Sequence, residues 1–536
     1  MASQPPQAAV ATAHPIATQA GMEILAAGGN AFDAAVAVSA TLAVVEPYSS
    51  GIGGGGFWLL HRAVDGKQVM IDGRETAPLA ATRTMYQDKE GKVIPGLSVD
   101  GPLAAAIPGQ PAALVHIAES YGQLPLAQSL APAIRAAREG FEVTPHYRRM
   151  AQFRLKALRA SPAAAEVFLL NNEVPPLGHR IKQPDLANTL HALAKQGRAG
   201  FYQGKVAKSL LAGVKNAGGI WSKQDFEQYR VVERKPVVGE YRGFRIVSVP
   251  PPSSGGVALV SMLNMLERYR LDHLTELQRQ HVMVEVMRRA YRDRAQFLGD
   301  SDFVDVPLKQ LTDKNYAAQL QRSISLKQAT PSKSLGEIAD TSGGNHTTHF
   351  SILDKAGNRV AATLSINYPF GSGFIPPGTG VLLNDEMDDF SAKPGVPNVY
   401  GLIGAEANAI EPGKRMLSSM SPTFVEAEQG VAILGTPGGS RIITMVLHGI
   451  LAYTEGMEAG AIVSQPRYHH QYLPDTIFYE TGAISEANVG NLRSMGHELK
   501  ALQQTYGNMH IVIWDKQANT VSAASDPRGE GKALLQ

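Results

Sequence analysis

The sequence predicts a mixed α+β protein, and two features of the chain indicate that class. Before residue 300, apolar residues recur at three- and four-residue spacing in several segments, as in helices that pack one face on a core. After residue 347, short alternating runs typical of strands take over. With 536 residues the chain can bury a large core, and its length alone favours several domains.

The helical region opens with a helix, a turn and a second helix across residues 16–46. Gly28 and Gly29 end the first helix, because glycine readily adopts the backbone conformation found just beyond a helix. Further helical patterns and one strand-like stretch follow. The helical patterns cover residues 110–122, 130–141, 183–197 and 273–299, and the strand-like stretch covers 241–256.

A polar segment separates the helical region from the strands. Leu308 to Asn345 is rich in Ser, Thr, Gly and Lys, and this composition predicts a mobile, exposed connection. The strands predicted beyond it are residues 347–353, 359–367, 431–436 and 509–514.

The first two of these strands are predicted to form a hairpin. The turn at residues 354–358 contains glycine and has a length that suits a hairpin loop. If Leu353 pairs with Arg359, Thr347 faces Ser365 on the same side of the hairpin. A slip of one residue would turn Ser365 to the other face. This register places a second hydroxyl group within reach of Thr347.

Composition excludes several classes of partner. Lys and Arg number 50 against 48 Asp and Glu, and this balance lacks the concentrated basic surface that nucleic acids require. Cysteine is absent, so neither disulfides nor cysteine-bound metals are expected. The longest apolar stretch, Ala31 to Val45, is too short to span a membrane and contains Asp33, so it predicts a buried helix. Residues 1–15 show neither the basic nor the apolar region of a signal peptide.

Several motifs, taken in order, resemble one enzyme family over nearly the whole chain. They are "GGNAFDAAVA" (28–37), "DGRETAP" (72–78), "TTHFS" (347–351), "GTGVLLNDEMDDFSAKPGVPNVYG" (378–401), "KRMLSSMSPT" (414–423), "GTPGGSRI" (435–442) and "SDPRGEG" (525–531). Each motif is weak alone, but their ordered set resembles the γ-glutamyltransferase (glutathione hydrolase) family of N-terminal-nucleophile hydrolases.

The resemblance implies an αββα four-layer sandwich and a precursor that cuts its own chain between His346 and Thr347. Residues 1–346 would form a large subunit and residues 347–536 a small catalytic subunit, interleaved in one structural unit. The cut explains why a threonine stands at position 347. Once it is the amino-terminal residue, its free α-amino group can take the proton of its own hydroxyl. Thr348 is the rival nucleophile, but the family pattern cuts before the first threonine of the pair.

The resemblance also implies how a γ-glutamyl substrate binds. Arg74, Ser418 and Ser419 match the groups that bind its α-carboxylate. Without the resemblance, Arg74 would be interpreted as a solvated surface arginine and the serine pair as part of a turn. Asn367, Glu386 and Asp389 match the groups that hold its α-ammonium. Without the resemblance, the acidic stretch would read as a solvated or metal-binding loop. It lacks EF-hand spacing, and no HExxH occurs, so we expect no metal and no cofactor.

The remaining matched residues belong to the reacting centre and its cover. Ser365 matches a second hydroxyl that is threonine in many relatives, and Gly438 and Gly439 match an oxyanion hole. Tyr400 lies in a Pro- and Gly-rich stretch and matches a lid tyrosine whose hydroxyl reaches the asparagine at Asn367. A plain exposed loop is the competing interpretation of that stretch.

The resemblance implies a hydrolase and transferase that cleaves the γ-glutamyl amide of glutathione and passes the group to water or to the amine of an amino acid or dipeptide. The alternatives are a glutaryl-cephalosporin-type acylase or a poly-γ-glutamate depolymerase of the same fold, and more remotely an inactive scaffold. Bacterial members are usually periplasmic or secreted, so that location is expected, with the cytoplasm as the alternative.

Overall fold

The computed structural model describes residues 4–336, 347–396, 398–399, 401–402 and 404–536. Within these residues the chain forms two large β-sheets covered by helices, as the sequence predicts. In chain order the strands are β1 (Ala9–Thr12), β2 (Gly55–Arg62), β3 (Lys67–Gly73), β4 (Phe141–Glu142), β5 (Arg180–Ile181), β6 (Val232–Arg234), β7 (Val237–Tyr241), β8 (Phe244–Ser248), β9 (Thr348–Leu353), β10 (Arg359–Ser365), β11 (Thr423–Ala427), β12 (Gly430–Gly435), β13 (Tyr468–His469), β14 (Thr476–Tyr479), β15 (Glu498–Ala501), β16 (His510–Asp515), β17 (Thr520–Ser525) and β18 (Lys532–Leu535).

The helices surround the sheets and are most frequent before residue 337. In chain order they are α1 (Pro15–Ala26), α2 (Ala31–Val45), α3 (Gln110–Tyr121), α4 (Leu126–Glu139), α5 (Pro145–Phe153), α6 (Leu155–Ala160), α7 (Pro162–Phe168), α8 (Pro184–Gln196), α9 (Ala199–Tyr202), α10 (Gly204–Asn216), α11 (Lys223–Gln228), α12 (Gly255–Leu266), α13 (Glu276–Phe297), α14 (Leu308–Leu311), α15 (Lys314–Arg322), α16 (Ile442–Thr454), α17 (Ala459–Ser464) and α18 (Glu486–Ser494).

Strands from the two parts of the chain share both large sheets. One sheet has the order β18-β1-β9-β10-β2-β3-β6, and the other has the order β17-β16-β12-β11-β8-β7. In the first sheet, β1 from the start of the chain lies between β9 and β18 from the second part. Residues 1–346 and 347–536 therefore do not fold as separate domains, and the subunit boundary between them stays a prediction.

Alternating side chains on the first sheet build two different cores. Trp58 and Leu60 of β2 belong to a cluster with α1–α4 and α8, on the outer face of that sheet. Phe57 and Leu59 point the other way, into a cluster with the second sheet and with α12, α13 and α16. This two-residue period is the expected pattern of a strand that is buried on both faces. The layers are helix, sheet, sheet and helix, which confirms the predicted αββα sandwich.

The predicted hairpin register is correct. Arg359 of β10 pairs with Leu353 of β9, and Leu364 pairs with Thr348. Thr347 directly precedes β9, and Ser365 is the last residue of β10, so both stand at the same end of the hairpin.

The polar segment after residue 308 is more ordered than predicted. It contains α14 and α15, so the interpretation of this part as a mobile connection was wrong. The side chain of Asp313 caps the start of α15, and Ala317 and Ala318 are buried. Nine residues gave too short a pattern for the buried face to stand out among polar neighbours. Residues 337–346 of the same segment lie outside the described residues.

The apolar stretch at α2 is a buried helix, as predicted. All of its residues are buried, and Asn30 and Asp33 form a capping box at its start. Asp33 also accepts backbone hydrogen bonds from Gln123 and Leu124. Among the helices of the described residues, none has the length and apolar character needed to cross a membrane.

Candidate active site

Thr347 stands where two cavities meet. It is buried, with 5% of its surface exposed, and it lines both a narrow pocket and a wide cleft. Thr348, the rival nucleophile, points elsewhere, since its hydroxyl donates a hydrogen bond of 2.6 Å to Glu46. His346, on the other side of the predicted cut, lies outside the described residues.

The narrow pocket collects most of the residues that the sequence singled out. Its walls include Arg74, Thr347, Ser365, Asn367, Asp389, Ser418, Ser419 and Gly439. Glu386 lies behind this wall in contact with Arg74, and Gly438 lines the wide cleft on the other side of Thr347. Tyr400 lies outside the described residues.

Arg74 is fully engaged by carboxylates. It directly follows β3, and its guanidinium donates hydrogen bonds of 2.5 Å to Glu386 and of 2.5 Å to Asp389. Burial lowers the pKa of Arg74, but the charges of Glu386, Asp389 and Glu75 outweigh that effect and hold the pKa above its ordinary value. Arg74 therefore stays charged and anchors an acidic cluster.

Glu75 is a member of this cluster that the sequence analysis missed. It is fully buried, lies 3.6 Å from Arg74, and neither of its carboxylate oxygens has a hydrogen-bond partner among the described residues. Burial and the neighbouring Glu386 raise its pKa well above the ordinary value. Burial likewise raises the pKa of Glu386. Three carboxyl groups thus surround one guanidinium, and an added cation would favour their ionised forms. The position of Glu75 directly after Arg74 in "DGRETAP" is the sequence feature that could have identified it.

Ser365 and Asn367 form a tight turn at the end of β10. The Asn367 backbone N–H donates a hydrogen bond of 2.7 Å to the Ser365 hydroxyl, and the Asn367 side-chain amide donates one of 3.1 Å to the carbonyl of Asp385. Asn367 adopts a positive φ of 71°, which asparagine tolerates better than most residues. Gly54 packs against this turn, since a Cβ there would lie 2.2 Å from the Ser365 carbonyl oxygen.

The glycine pair lies between β12 and α16 and borders the two cavities that Thr347 also lines. Gly438 has a φ of 149° and Gly439 a φ of 54°, and both values lie where a side chain would be strained. A Cβ on Gly438 would also lie 2.4 Å from the methyl carbon of Met445. The sharp backbone turn therefore requires glycine at both positions, between the two cavities.

The wide cleft differs from the pocket in size and character. Its volume is about 700 Å³, and its walls come from Glu46, Tyr48, Arg149 and residues 503–508 and 528–530, besides Thr347 and Gly438. Glu46 is buried and forms no ion pair among the described residues. Burial raises its pKa to about 7, although the hydrogen bond from Thr348 opposes the shift.

One buried group outside the site has ligand types that can bind metals. The side chains of His281, Glu285 and His497 lie close together. His281 donates to the Ser325 carbonyl and accepts from His497, so its ring nitrogens are both used. Glu285 is bonded to Arg289 and to Thr330. These bonds satisfy the potential ligands, and the group is a structural network.

Comparisons with known proteins identify the family. The sequence profile described as Gamma-glutamyltranspeptidase matches residues 17–535. The chain is 44% identical over 511 residues to the glutathione hydrolase proenzyme of Pseudomonas sp. (strain A14), covering 94% of this chain and 89% of that protein. The solved structure of a cephalosporin acylase from Bacillus halodurans is similar, with a TM-score of 0.87 at 26% identity, covering 99% of this chain and 96% of that one. A chain of Helicobacter pylori gamma-glutamyltranspeptidase has a TM-score of 0.58 at 40% identity, covering 60% of this chain and 92% of that one. The chain therefore belongs to the gamma-glutamyltranspeptidase family.

Proposed function

We propose that the chain is a self-cleaving γ-glutamyl hydrolase and transferase that acts on glutathione and related γ-glutamyl amides. The observation that carries the proposal is the position of Thr347 between two unlike cavities. The narrow pocket has the charged and hydroxyl groups that suit a free amino-acid head. The wide cleft has room for the rest of the substrate. Glutathione has this shape, with a compact zwitterionic head joined by an amide to a dipeptide.

The proposed chemistry centres on Thr347. Cleavage before it frees an α-amino group with a pKa of about 7.7–8.0, which can take the hydroxyl proton at neutral pH. The hydroxyl oxygen attacks the γ-carbonyl carbon, and the amino group returns the proton to the leaving amine. Backbone N–H groups of Gly438 and Gly439 stabilise the charge on the carbonyl oxygen. Water or an acceptor amine then attacks the resulting ester and restores the threonine.

The same proposal divides the chain into a large subunit, residues 1–346, and a small subunit, residues 347–536. The name proenzyme of the Pseudomonas relative supports a processed precursor. So does the length of the Helicobacter pylori chain, which corresponds to 60% of this one. We further propose a periplasmic or secreted location, which amino-terminal sequencing of the native protein from cell fractions would test.

A lid over the narrow pocket is part of the proposal. Asn398 donates a hydrogen bond of 3.2 Å to Asp389, and Leu402 lines the pocket, so described residues on both sides of Tyr400 in the sequence lie at the acidic motif and the pocket. We expect Tyr400 to close over the pocket toward Asn367. Deleting residues 394–404 should preserve self-cleavage and raise the activity on bulky glutaryl amides relative to glutathione. An unchanged ratio would exclude a lid.

The function is tested by comparing three amides. Purified protein should hydrolyse glutathione and γ-glutamyl-para-nitroanilide, and a dipeptide acceptor should accelerate nitroaniline release by adding transfer to hydrolysis. Glutaryl-para-nitroanilide, which lacks the α-ammonium, should react much more slowly. A protein that prefers the glutaryl compound would be an acylase.

The acylase alternative has a specific observation in its favour, the likeness to the Bacillus halodurans cephalosporin acylase over nearly the whole chain. The excess of carboxyl groups around Arg74 argues against it. A glutaryl head brings a carboxylate but no ammonium, so it would leave Arg74 as the one cation that faces the three carboxyl groups of Glu75, Glu386 and Asp389 among the described residues.

A further inference from the structure

A second arginine lies behind the narrow pocket, in contact with Ser419. Arg294 of α13 is buried, with 4% of its surface exposed. Its guanidinium donates a hydrogen bond of 3.2 Å to the hydroxyl of Ser419 and one of 3.0 Å to the hydroxyl of Ser254. Ser419 lines the pocket, so Arg294 reaches the pocket through that hydroxyl.

Unlike Arg74, this arginine has no carboxylate within ion-pair distance among the residues that the structure describes. Burial lowers its pKa, and the more distant Tyr291 and Asp389 oppose that shift. A buried charge without a partner of opposite charge destabilises the fold. An anion bound at the adjoining pocket wall would offset that cost.

The hydrogen-bond directions show what this wall can offer an anion. A guanidinium can only donate, so the Ser419 oxygen must be the acceptor and its own hydrogen is left to be donated elsewhere. The Ser418 hydroxyl oxygen likewise accepts, from the backbone N–H of Met420 at 3.1 Å. Among the described residues, neither hydroxyl donates to a protein group.

Ser254 extends the same network to the backbone of the serine pair. Its hydroxyl accepts from Arg294 and donates a hydrogen bond of 2.7 Å to the Ser418 carbonyl, and its backbone N–H donates one of 2.9 Å to the same carbonyl. Arg294 thus fixes one serine directly and the other through Ser254.

We propose that Arg294 is a positioning residue for the substrate's α-carboxylate, holding Ser418 and Ser419 with their hydroxyl hydrogens toward the pocket and supplying the opposing charge. This inference rests on the proposed γ-glutamyl function and adds a residue to it. The pocket then has a basic side at Arg294 and an acidic side around Arg74. A zwitterionic amino-acid head matches both sides at once.

The test compares three para-nitroanilides that differ only in the head. The γ-glutamyl compound carries both charges, the glutaryl compound only the carboxylate, and the γ-aminobutyryl compound only the ammonium. In Arg294→Met, KM for the two carboxylate compounds should rise by roughly 10- to 100-fold with kcat within about threefold, since a charge-assisted bond contributes on that scale. The γ-aminobutyryl compound should be unaffected.

Two further variants separate positioning from folding. Arg294→Lys keeps the charge, so its KM should return most of the way to the wild-type value. The double variant Arg294→Met with Ser419→Ala should have a KM no higher than that of Arg294→Met alone, because both changes remove the same hydrogen-bonded arrangement. Arg279→Met is the matched control, since Arg279 lies on the same helix and pairs with Glu455 at the surface.

The outcomes separate this inference from the function on which it rests. An inactive wild type on the γ-glutamyl compound overturns the proposed function. An active wild type with equal losses on all three heads in Arg294→Met and Arg294→Lys overturns only the role of Arg294. A loss confined to the two carboxylate heads supports it.

Discussion

The two cavities that meet at Thr347 differ in how firmly their side chains are held in place before a substrate binds. In the narrow pocket, the charged side chains of Arg74, Glu386 and Asp389 are hydrogen-bonded to each other at 2.5 Å. In the wide cleft, Arg149 is exposed and Glu46 has no ion-pair partner among the described residues. The first arrangement is preorganised for one kind of head, and the second leaves the leaving group and the acceptor largely unrestrained.

This difference explains how Thr347, as the proposed nucleophile, can serve a selective and a tolerant reaction. Specificity for the donor head depends on charges whose positions are set before binding, so a wrong head leaves buried charges uncompensated. The cleft contributes space, so under the proposed function many amines could leave or enter through it. Changes at Thr347, in the pocket and in the cleft should therefore have different effects.

The largest effect is expected at the residue that both cavities share. Thr347→Ala should remain one chain of 57.3 kDa and lose activity by at least about a thousandfold, because it lacks the hydroxyl for both cleavage and catalysis. Denaturing gels and amino-terminal sequencing measure this, and the wild-type small fragment should begin Thr-Thr-His-Phe. Thr347→Ser is the control that keeps a hydroxyl. Cleavage of the alanine variant at the same bond would falsify the assignment.

The second effect tests the narrow pocket. Arg74→Ala should lower kcat/KM for glutathione by roughly 10- to 150-fold, because it removes the charge-assisted hydrogen bonds that hold Glu386 and Asp389 at the pocket, and one such bond contributes about 1.5–3 kcal/mol. It should also lower the melting temperature, because it leaves Glu386 and Asp389 buried without their cation. Steady-state kinetics and thermal unfolding measure the two effects. Kinetics equal to wild type would remove Arg74 from the site.

The third effect tests the buried acid of the wide cleft. The folded state raises the pKa of Glu46 from 4.5 to about 7, so it holds a proton that the unfolded chain releases in that interval. The Glu46 contribution to stability is therefore present below pH 4.5 and is lost as the pH rises to about 7, by roughly 3 kcal/mol at most. Glu46→Gln keeps an acceptor for Thr348 and should show a flatter decline.

Unfolding of the two proteins at about pH 5 and about pH 8 measures that difference. Both proteins should carry Thr347→Ala, so that a single uncut chain unfolds. The other buried acids are present in both proteins, so their pH-dependent contributions to the free energy of unfolding cancel in the difference. Parallel pH profiles for the two proteins would show that Glu46 does not titrate in this interval.

The smallest effect is expected from changing the leaving group. γ-Glutamyl amides of methylamine, of amino acids and of dipeptides should differ in kcat/KM by no more than about tenfold after correction for amine basicity, or ~1.4 kcal/mol. Changing the head from γ-glutamyl to glutaryl should cost more than that. A steeper dependence on the amine than on the head would reverse the comparison between the cavities.

Local patterns predicted much of the fold, and non-local pairing did not follow from them. The hairpin register came from strand length and turn length, and the buried α2 came from its unbroken apolar run. The place of β1 between β9 and β18 could not be predicted, because it joins segments more than 300 residues apart. α15 was missed because its pattern is short and polar.

The candidate site shows the same division. The resemblance supplied Thr347 and the pocket residues, and the residue types alone did not. Arg294 stands in "MRRAYRDR", where several arginines on one helix read as a solvated face. Its burial depends on how α13 packs against the serine pair, and only the folded structure has that information.

The position of β1 has a consequence for the timing of self-cleavage. β9, which leads away from Thr347, lies beside β1, and β1 is completed on its other side only by β18, with Ala9 opposite Leu535. The sheet that contains β9 is therefore unfinished until residues 532–535 have been synthesised and have paired with β1. Cutting would then serve as a checkpoint, because the bond would be broken only after β1 and β18 have paired. A chain that stops before Lys532 should accumulate as uncut precursor, and efficient cutting of that truncated chain would argue against the checkpoint.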